Sequence, residues 1–295
     1  MKYTTEDLKN FKPHFGYFIG IDSDGCVFDS MEPKQKECFC PVTIEKWGLA
    51  PISKYAREVW EFVNLYSQDR GCNRFLALLK LFDWLKMHPA VIRRGFKVPE
   101  LPHLRCWVEA ETKLGNPTLQ KEIERTDSDE LKKIMDWSVT INHAIARLVQ
   151  GVGPFPLVPE ILDRMRKKAD VIVVSSTPAE ALIREWEEHN ISQFVSIIAG
   201  QEMGSKKEHL KFTTENKYQP GKVLMIGDAP GDMKAAKANN AMFYPIIPGR
   251  EEESWETLYN KILDLFLSGK YDHDFEASLI NEFDTYLPAS PSWLK

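Results

Sequence analysis

The sequence predicts an α/β fold: a doubly wound parallel sheet, Rossmann-like, with an inserted helical domain. Three observations carry this. Short apolar runs rich in β-branched residues stop abruptly at polar ones, as Tyr17–Ile21 does at Asp22, Val171–Val174 at Ser175, and Val223–Ile226 at Gly227-Asp228. Helical periodicity separates the later runs, and a parallel crossover needs a dozen or more residues, usually helical. Between Ser30 and Gly151 the β-like runs give way to long helical stretches.

Taken in order, Tyr17-Phe18-Ile19-Gly20-Ile21 reads as a buried strand. Arg57–Tyr66, Phe75–Met87 and Ile134–Val149 then show three-to-four spacing of apolar residues. Phe75, Leu78, Leu79, Phe82 and Leu85 form one stripe, which is helical core. Gly151-Val152-Gly153-Pro154-Phe155-Pro156 has the composition of a linker, so the chain divides into residues 1–30, 31–150 and 151–295, the first and last forming one domain. Val158, Ile161, Leu162 and Met165 recur at helical spacing, and Val171–Val174 follows as a strand. Thr177-Pro178-Ala179-Glu180 reads as a capping box with proline at the first helical position. Phe194–Ala199 is a strand, Gly204-Ser205 opens a helix through Leu210, and Val223–Ile226 is the next strand. Met233–Ala238 is a helix, Met242–Ile247 a last apolar run, and Asp272–Lys295 an amphipathic helix with a proline-bearing tail. Runs such as VIVV and VLMI lack polar alternation, as strands covered on both faces do.

Composition narrows the function classes. With 43% apolar and 27% charged residues in a chain of 295, a proper core is expected and disorder is excluded. Lys plus Arg number 38 against 43 for Asp plus Glu, and no basic block is long enough to follow a phosphate backbone, so nucleic acid is not the expected partner. Five cysteines without paired CxxC spacing read as free thiols of a reducing compartment. The amino-terminal stretch carries acids and a proline, and no run approaches the ~18 apolar residues of a membrane helix. A cytoplasmic protein without a membrane partner is expected.

In an open parallel sheet, ligands bind outside the carboxyl ends of the strands, so the polar residues that end each apolar run should converge there. They are Asp22 and Asp24, Ser175, Lys206, and Asp228 with Asp232. Clustered carboxylates repel unless a cation or proton shares the site, and hard oxygen ligands point to Mg²⁺. Magnesium takes one or two carboxylates together with substrate phosphate, so the expected partner is a small phosphorylated metabolite.

Asp22-Ser23-Asp24-Gly25-Cys26-Val27-Phe28-Asp29-Ser30 resembles the first motif, DxDGTxxDS, of the haloacid dehalogenase superfamily. Gly227-Asp228-Ala229-Pro230-Gly231-Asp232 resembles its fourth, GDxxxD, and Ser175 and Lys206 fit its second and third. Cys26 and Ser23 depart from the usual threonine and apolar residue. The resemblance implies a capped phosphohydrolase, with residues 31–150 as the helical cap. It also implies two-step phosphoryl transfer: Asp22 as nucleophile, Asp24 as general acid and base with its carbonyl facing the metal, and a metal set of Asp22, Asp24, Asp228 and Asp232. Asp232 would also orient Lys206, Ser175 would bind a phosphoryl oxygen, and Lys206 would neutralise the charge shared with Asp22. Ser176 and Thr177 compete with Ser175, and Lys207 with Lys206. Ser176 and the loop arginines Arg70 and Arg74 are candidate substrate contacts. The expected activity is Mg²⁺-dependent phosphomonoester hydrolysis; alternatives are a phosphomutase of the same fold and a non-catalytic phosphate-binding module.

Overall fold

The structure, a computed structural model, describes residues 3–294. The chain forms two compact units. One combines the residues up to Ser30 with Val152–Tyr286; the other combines Met31–Gly151 with the chain from Leu287 onward.

The first unit is built on a five-stranded, wholly parallel sheet: β1 (Phe18–Ile21), β2 (Asp170–Val174), β3 (Ile197–Ala199), β4 (Val223–Gly227) and β5 (Met242–Pro245). Their spatial order is β3-β2-β1-β4-β5. Every residue of the five strands is buried, which is why their sequences run apolar without alternation. Strand order reverses at β1, between β2 and β4, the switch point at which open α/β sheets bind ligands. Register brings the strand ends level: Ile21 lies opposite both Val173 and Ile226. The residues that follow therefore emerge side by side.

Gly20 in the central strand has a packing reason. A Cβ there would lie 3.0 Å from Leu210 Cδ2 and 3.2 Å from Met225 Sδ, so a larger residue would require those side chains to give by a few tenths of an ångström. The core beneath includes Ile19, Ile21, Val173, Ile226, Trp186 and Trp255.

The second unit is helical, with Ser53–Asn64, Arg74–Met87 and Asp129–Leu148 as its long helices. Its core holds Trp47, Trp60, Phe75, Phe82, Trp107 and Trp137. Buried indole N–H groups find acceptors within the unit: Trp60 Nε1 donates to Gln35 Oε1 at 2.9 Å and Trp137 Nε1 to Thr43 Oγ1 at 2.9 Å. Lys34–Phe39 is a π-helical turn in which Cys40 N–H reaches back five residues to Gln35, just before Pro41, which has no N–H to continue the ladder.

The structure differs from the expected pattern in places. The third strand is three residues long, because Ser192–Phe194 turns as a 3₁₀ helix. The last helix ends at Tyr286, and the stretch from Leu287 goes with the helical unit and not with the sheet, Trp293 packing against Phe62 at 5.3 Å and His88 at 5.3 Å between ring centroids. All five cysteines are free thiols, as expected. Among the described residues no helix is long and apolar enough to cross a membrane.

Candidate active site

The loop after β1 is held from below by two buried tryptophans. Trp186 Nε1 donates to Ser23 Oγ at 3.0 Å and Trp255 Nε1 to the Cys26 carbonyl at 2.8 Å. Serine at position 23 thus serves as the acceptor for a buried indole. The turn itself folds around the Ser23 carbonyl, which accepts from the N–H groups of Cys26, Val27 and Phe28, while Gly25 takes φ +76°. Glycine suits that left-handed position at no steric cost.

The same economy fixes the loop after β4. A Cβ on Gly227 would lie 2.4 Å from the Asp232 side chain, so only glycine lets that carboxylate fold back. Asp232 Oδ2 accepts from the Ala229 N–H at 3.1 Å, capping the helix Pro230–Lys237, while Oδ1 accepts from Lys206 Nζ at 2.6 Å. Lys206 opens the helix Lys206–Thr214 behind the Ser205 cap, and its ammonium also meets Asp22 Oδ2 at 2.7 Å. Lys207 is exposed.

Asp22, Asp228 and Asp232 are 5%, 1% and 0% exposed, and each offers an oxygen within 4.8 Å of the others. Three buried carboxylates with one ammonium between them make a strongly negative pocket of hard oxygen donors. Burial pushes the Asp22 carboxyl up to about 6, with Lys206 opposing and Asp228 adding to the rise. Asp232 is likewise pushed up to about 6 by burial, against Lys206. Burial disfavours the Lys206 ammonium, yet Asp22 and Asp232 outweigh it and hold its pKa above the ordinary lysine value. This donor set fits a small divalent cation such as Mg²⁺, whose charge would favour the ionised carboxylates.

Asp24 stands apart from that cluster of carboxylates. Its side chain accepts from Ser30 Oγ at 2.6 Å on Oδ1 and from Thr177 Oγ1 at 2.8 Å on Oδ2. Ser175 is 2% exposed, and its Oγ accepts from the Thr177 N–H at 3.2 Å; Ser176 is exposed.

Two readings of the sequence need correction here. Thr177 does not cap the next helix: that helix begins at Ala179, Pro178 occupies the cap position, and the Ala179 N–H donates to Glu202 Oε2 at 3.0 Å. The arginines of the helical unit have partners in that unit. Arg70 is buried and donates to the Leu65 carbonyl at 2.9 Å. Arg74 donates to the Ser138 carbonyl, Ser138 Oγ and Asn142 Oδ1 at 3.2, 3.0 and 2.8 Å and lies over the Phe39 ring. Burial lowers its pKa to about 10. The donors expected to face a substrate are thus bound to the interhelical scaffold.

The family model described as haloacid dehalogenase-like hydrolase matches residues 91–245, just over half of the chain. The chain belongs to that family. The match includes Ser175, Lys206, Asp228 and Asp232 and begins after the Asp22–Asp24 loop. No curated protein matches the chain. Among solved structures it is similar to a predicted phosphatase from Clostridium acetobutylicum, at 15% identity over 85% of this chain and 100% of that one, TM-score 0.46. A predicted phosphoglycolate phosphatase from Haemophilus somnus matches at 15% identity over 78% and 84%, TM-score 0.45. A 2-haloacid dehalogenase from Pseudomonas syringae matches at 13% identity over 77% and 84%, TM-score 0.37.

Proposed function

We propose that the protein hydrolyses phosphate monoesters of small metabolites with Mg²⁺ and an aspartyl-phosphate intermediate. The observation that carries this reading is the placement of Lys206 Nζ at 2.7 Å from Asp22 and 2.6 Å from Asp232, beside Asp228, at the carboxyl edge of β1 and β4. Family membership supports it.

Asp22 is the nucleophile. One of its carboxylate oxygens forms a bond to phosphorus as the ester P–O bond breaks, and the leaving oxygen takes the proton of Asp24. Asp24 then removes a proton from water, whose oxygen attacks phosphorus, releasing orthophosphate and restoring the Asp22 carboxylate. Ser175 donates to a phosphoryl oxygen and Lys206 balances the charge gathered beside Asp22. Asp22, Asp228 and Asp232, with the main-chain carbonyl of Asp24, would hold Mg²⁺, which when bound supplies charge neutralisation for the phosphoryl group. Asp232 has the further task of orienting Lys206.

Incubation with p-nitrophenyl phosphate and a panel of phosphorylated metabolites, with Mg²⁺ and with chelator, tests the reading. Phosphate release that needs the metal and disappears in Asp22→Asn is the expected result. Equal turnover by wild type and Asp22→Asn would sink it, and an isomer released without free phosphate would make the protein a mutase.

A further inference from the structure

We infer that Thr177 is a positioning residue for proton transfer: its hydroxyl, with that of Ser30, holds the Asp24 carboxylate in the orientation from which it serves the leaving oxygen. The inference rests on the hydrolase reading above and adds to it a residue outside the four motifs.

The geometry of Thr177 is determined from several sides. Its N–H donates to Ser175 Oγ at 3.2 Å, and its carbonyl accepts from the Gln201 N–H at 3.0 Å. Gly200 presses against the same turn so closely that a Cβ would lie 2.8 Å from the Thr177 carbonyl oxygen and 2.5 Å from Ala179 N. The backbone at 177 is therefore pinned between the end of β2 and the end of β3, and the side chain is aimed by it.

A threonine before proline has the sequence pattern of a helix cap, but the cap position here is Pro178 itself. Here Glu202 takes the Ala179 N–H, and the Thr177 hydroxyl reaches across 153 positions of sequence to Asp24 Oδ2 at 2.8 Å. With Ser30 Oγ on Oδ1 at 2.6 Å, each oxygen of the carboxylate has a hydroxyl donor, which fixes the plane of the group. A group that transfers a proton has to be held in a narrow range of position and angle, and a misplacement of about 1 Å costs ~10²-fold in rate.

A threonine hydroxyl is suited to this task because it both donates and accepts. It can donate to the ionised carboxylate and accept from the protonated one, so it can hold Asp24 in both states through which the two-step reaction takes it.

The test compares two esters. Protonation of the leaving oxygen matters greatly for an alkoxide and little for p-nitrophenolate. The constant kcat/KM reports only the steps up to loss of that oxygen. Thr177→Val is expected to lower kcat/KM on ethyl phosphate by ~10–100-fold and on p-nitrophenyl phosphate by no more than about 3-fold. Thr177→Ser, which keeps the hydroxyl, should stay within about 3-fold of wild type on both. A uniform loss on the two esters, or no loss on either, would overturn the positioning role while leaving the hydrolase reading intact. Asp24→Asn should show the same bias toward the activated ester; its absence there would overturn both.

Discussion

Charge is held differently in the helical unit and at the carboxyl edge of the sheet. In the helical unit Glu32 accepts from Lys36 Nζ at 2.7 Å and from the Tyr66 hydroxyl, and Arg74 donates to three oxygens nearby. Charge there is matched by local partners. In the sheet unit, Asp22 and Asp232 share the ammonium of Lys206, and Asp228 brings a third carboxylate within 4.8 Å of both at almost no exposure. Burying like charges together is destabilising, so such a cluster adds nothing to the fold itself. The first arrangement needs no further partner, and the second is one that a bound cation would relieve.

The largest expected effect of disturbing this contrast is at Asp22. Asp22→Asn should lower kcat by ~10⁴-fold or more, because it removes the nucleophile. It also removes a charge whose burial is unfavourable, with Lys206 opposing that cost and Asp228 adding to it, so the melting temperature should rise without added metal; a fall would break the charge argument. Next is Lys206→Ala. Leaving Asp22 and Asp232 without their ammonium should cost about 3–5 kcal/mol of folding stability, read by chemical denaturation, and millimolar Mg²⁺ should recover part of it.

His209 gives an effect of similar size through pH. Its side chain is fully buried, and burial, with Lys206 adding to it, lowers its pKa to about 4, whereas in the unfolded chain it titrates near the ordinary 6.5. The unfolded state therefore takes up the proton first. This contribution to stability is full above pH 6.5 and is lost as pH falls from there to about 4, amounting to about 3 kcal/mol. His209→Phe should flatten that part of the stability curve, and an unchanged slope would count against it. The smallest effect is expected of Arg74→Ala, which should cost about 1–3 kcal/mol of stability for its lost hydrogen bonds and leave kcat and the Mg²⁺ response unchanged. A raised KM at unchanged stability would return Arg74 to the substrate.

Much of this was legible in the sequence, for definite reasons. Strands such as Val223–Gly227 announce themselves because both faces are buried, and the polar residues after them converge because parallel strands in register end together. Helices with one apolar stripe, such as Arg74–Met87, are equally plain. Thr177 was hidden because a hydroxyl before proline has the pattern of a cap, and its actual partner lies far away in sequence. A run of three hydroxyl residues at the end of a strand, Ser175-Ser176-Thr177, was the available signal. For His209 there was none: a histidine inside a helix reads the same whether solvent or packed side chains surround it. Arg70 and Arg74 misled because a loop between helices has the composition of a binding loop, while their acceptors, Leu65 O and Ser138, are set by tertiary packing.

The chain passes between its units after Ser30, after Gly151 and again after Tyr286. A chimera that grafts residues 31–151 onto another hydrolase would therefore carry an incomplete module. The aromatic slot formed by Phe62 and His88 would arrive without the indole of Trp293 that fills it. Transplanting the helical unit intact requires moving the segment from Leu287 onward as well, so its donor sequence has to be cut at three junctions and not at two.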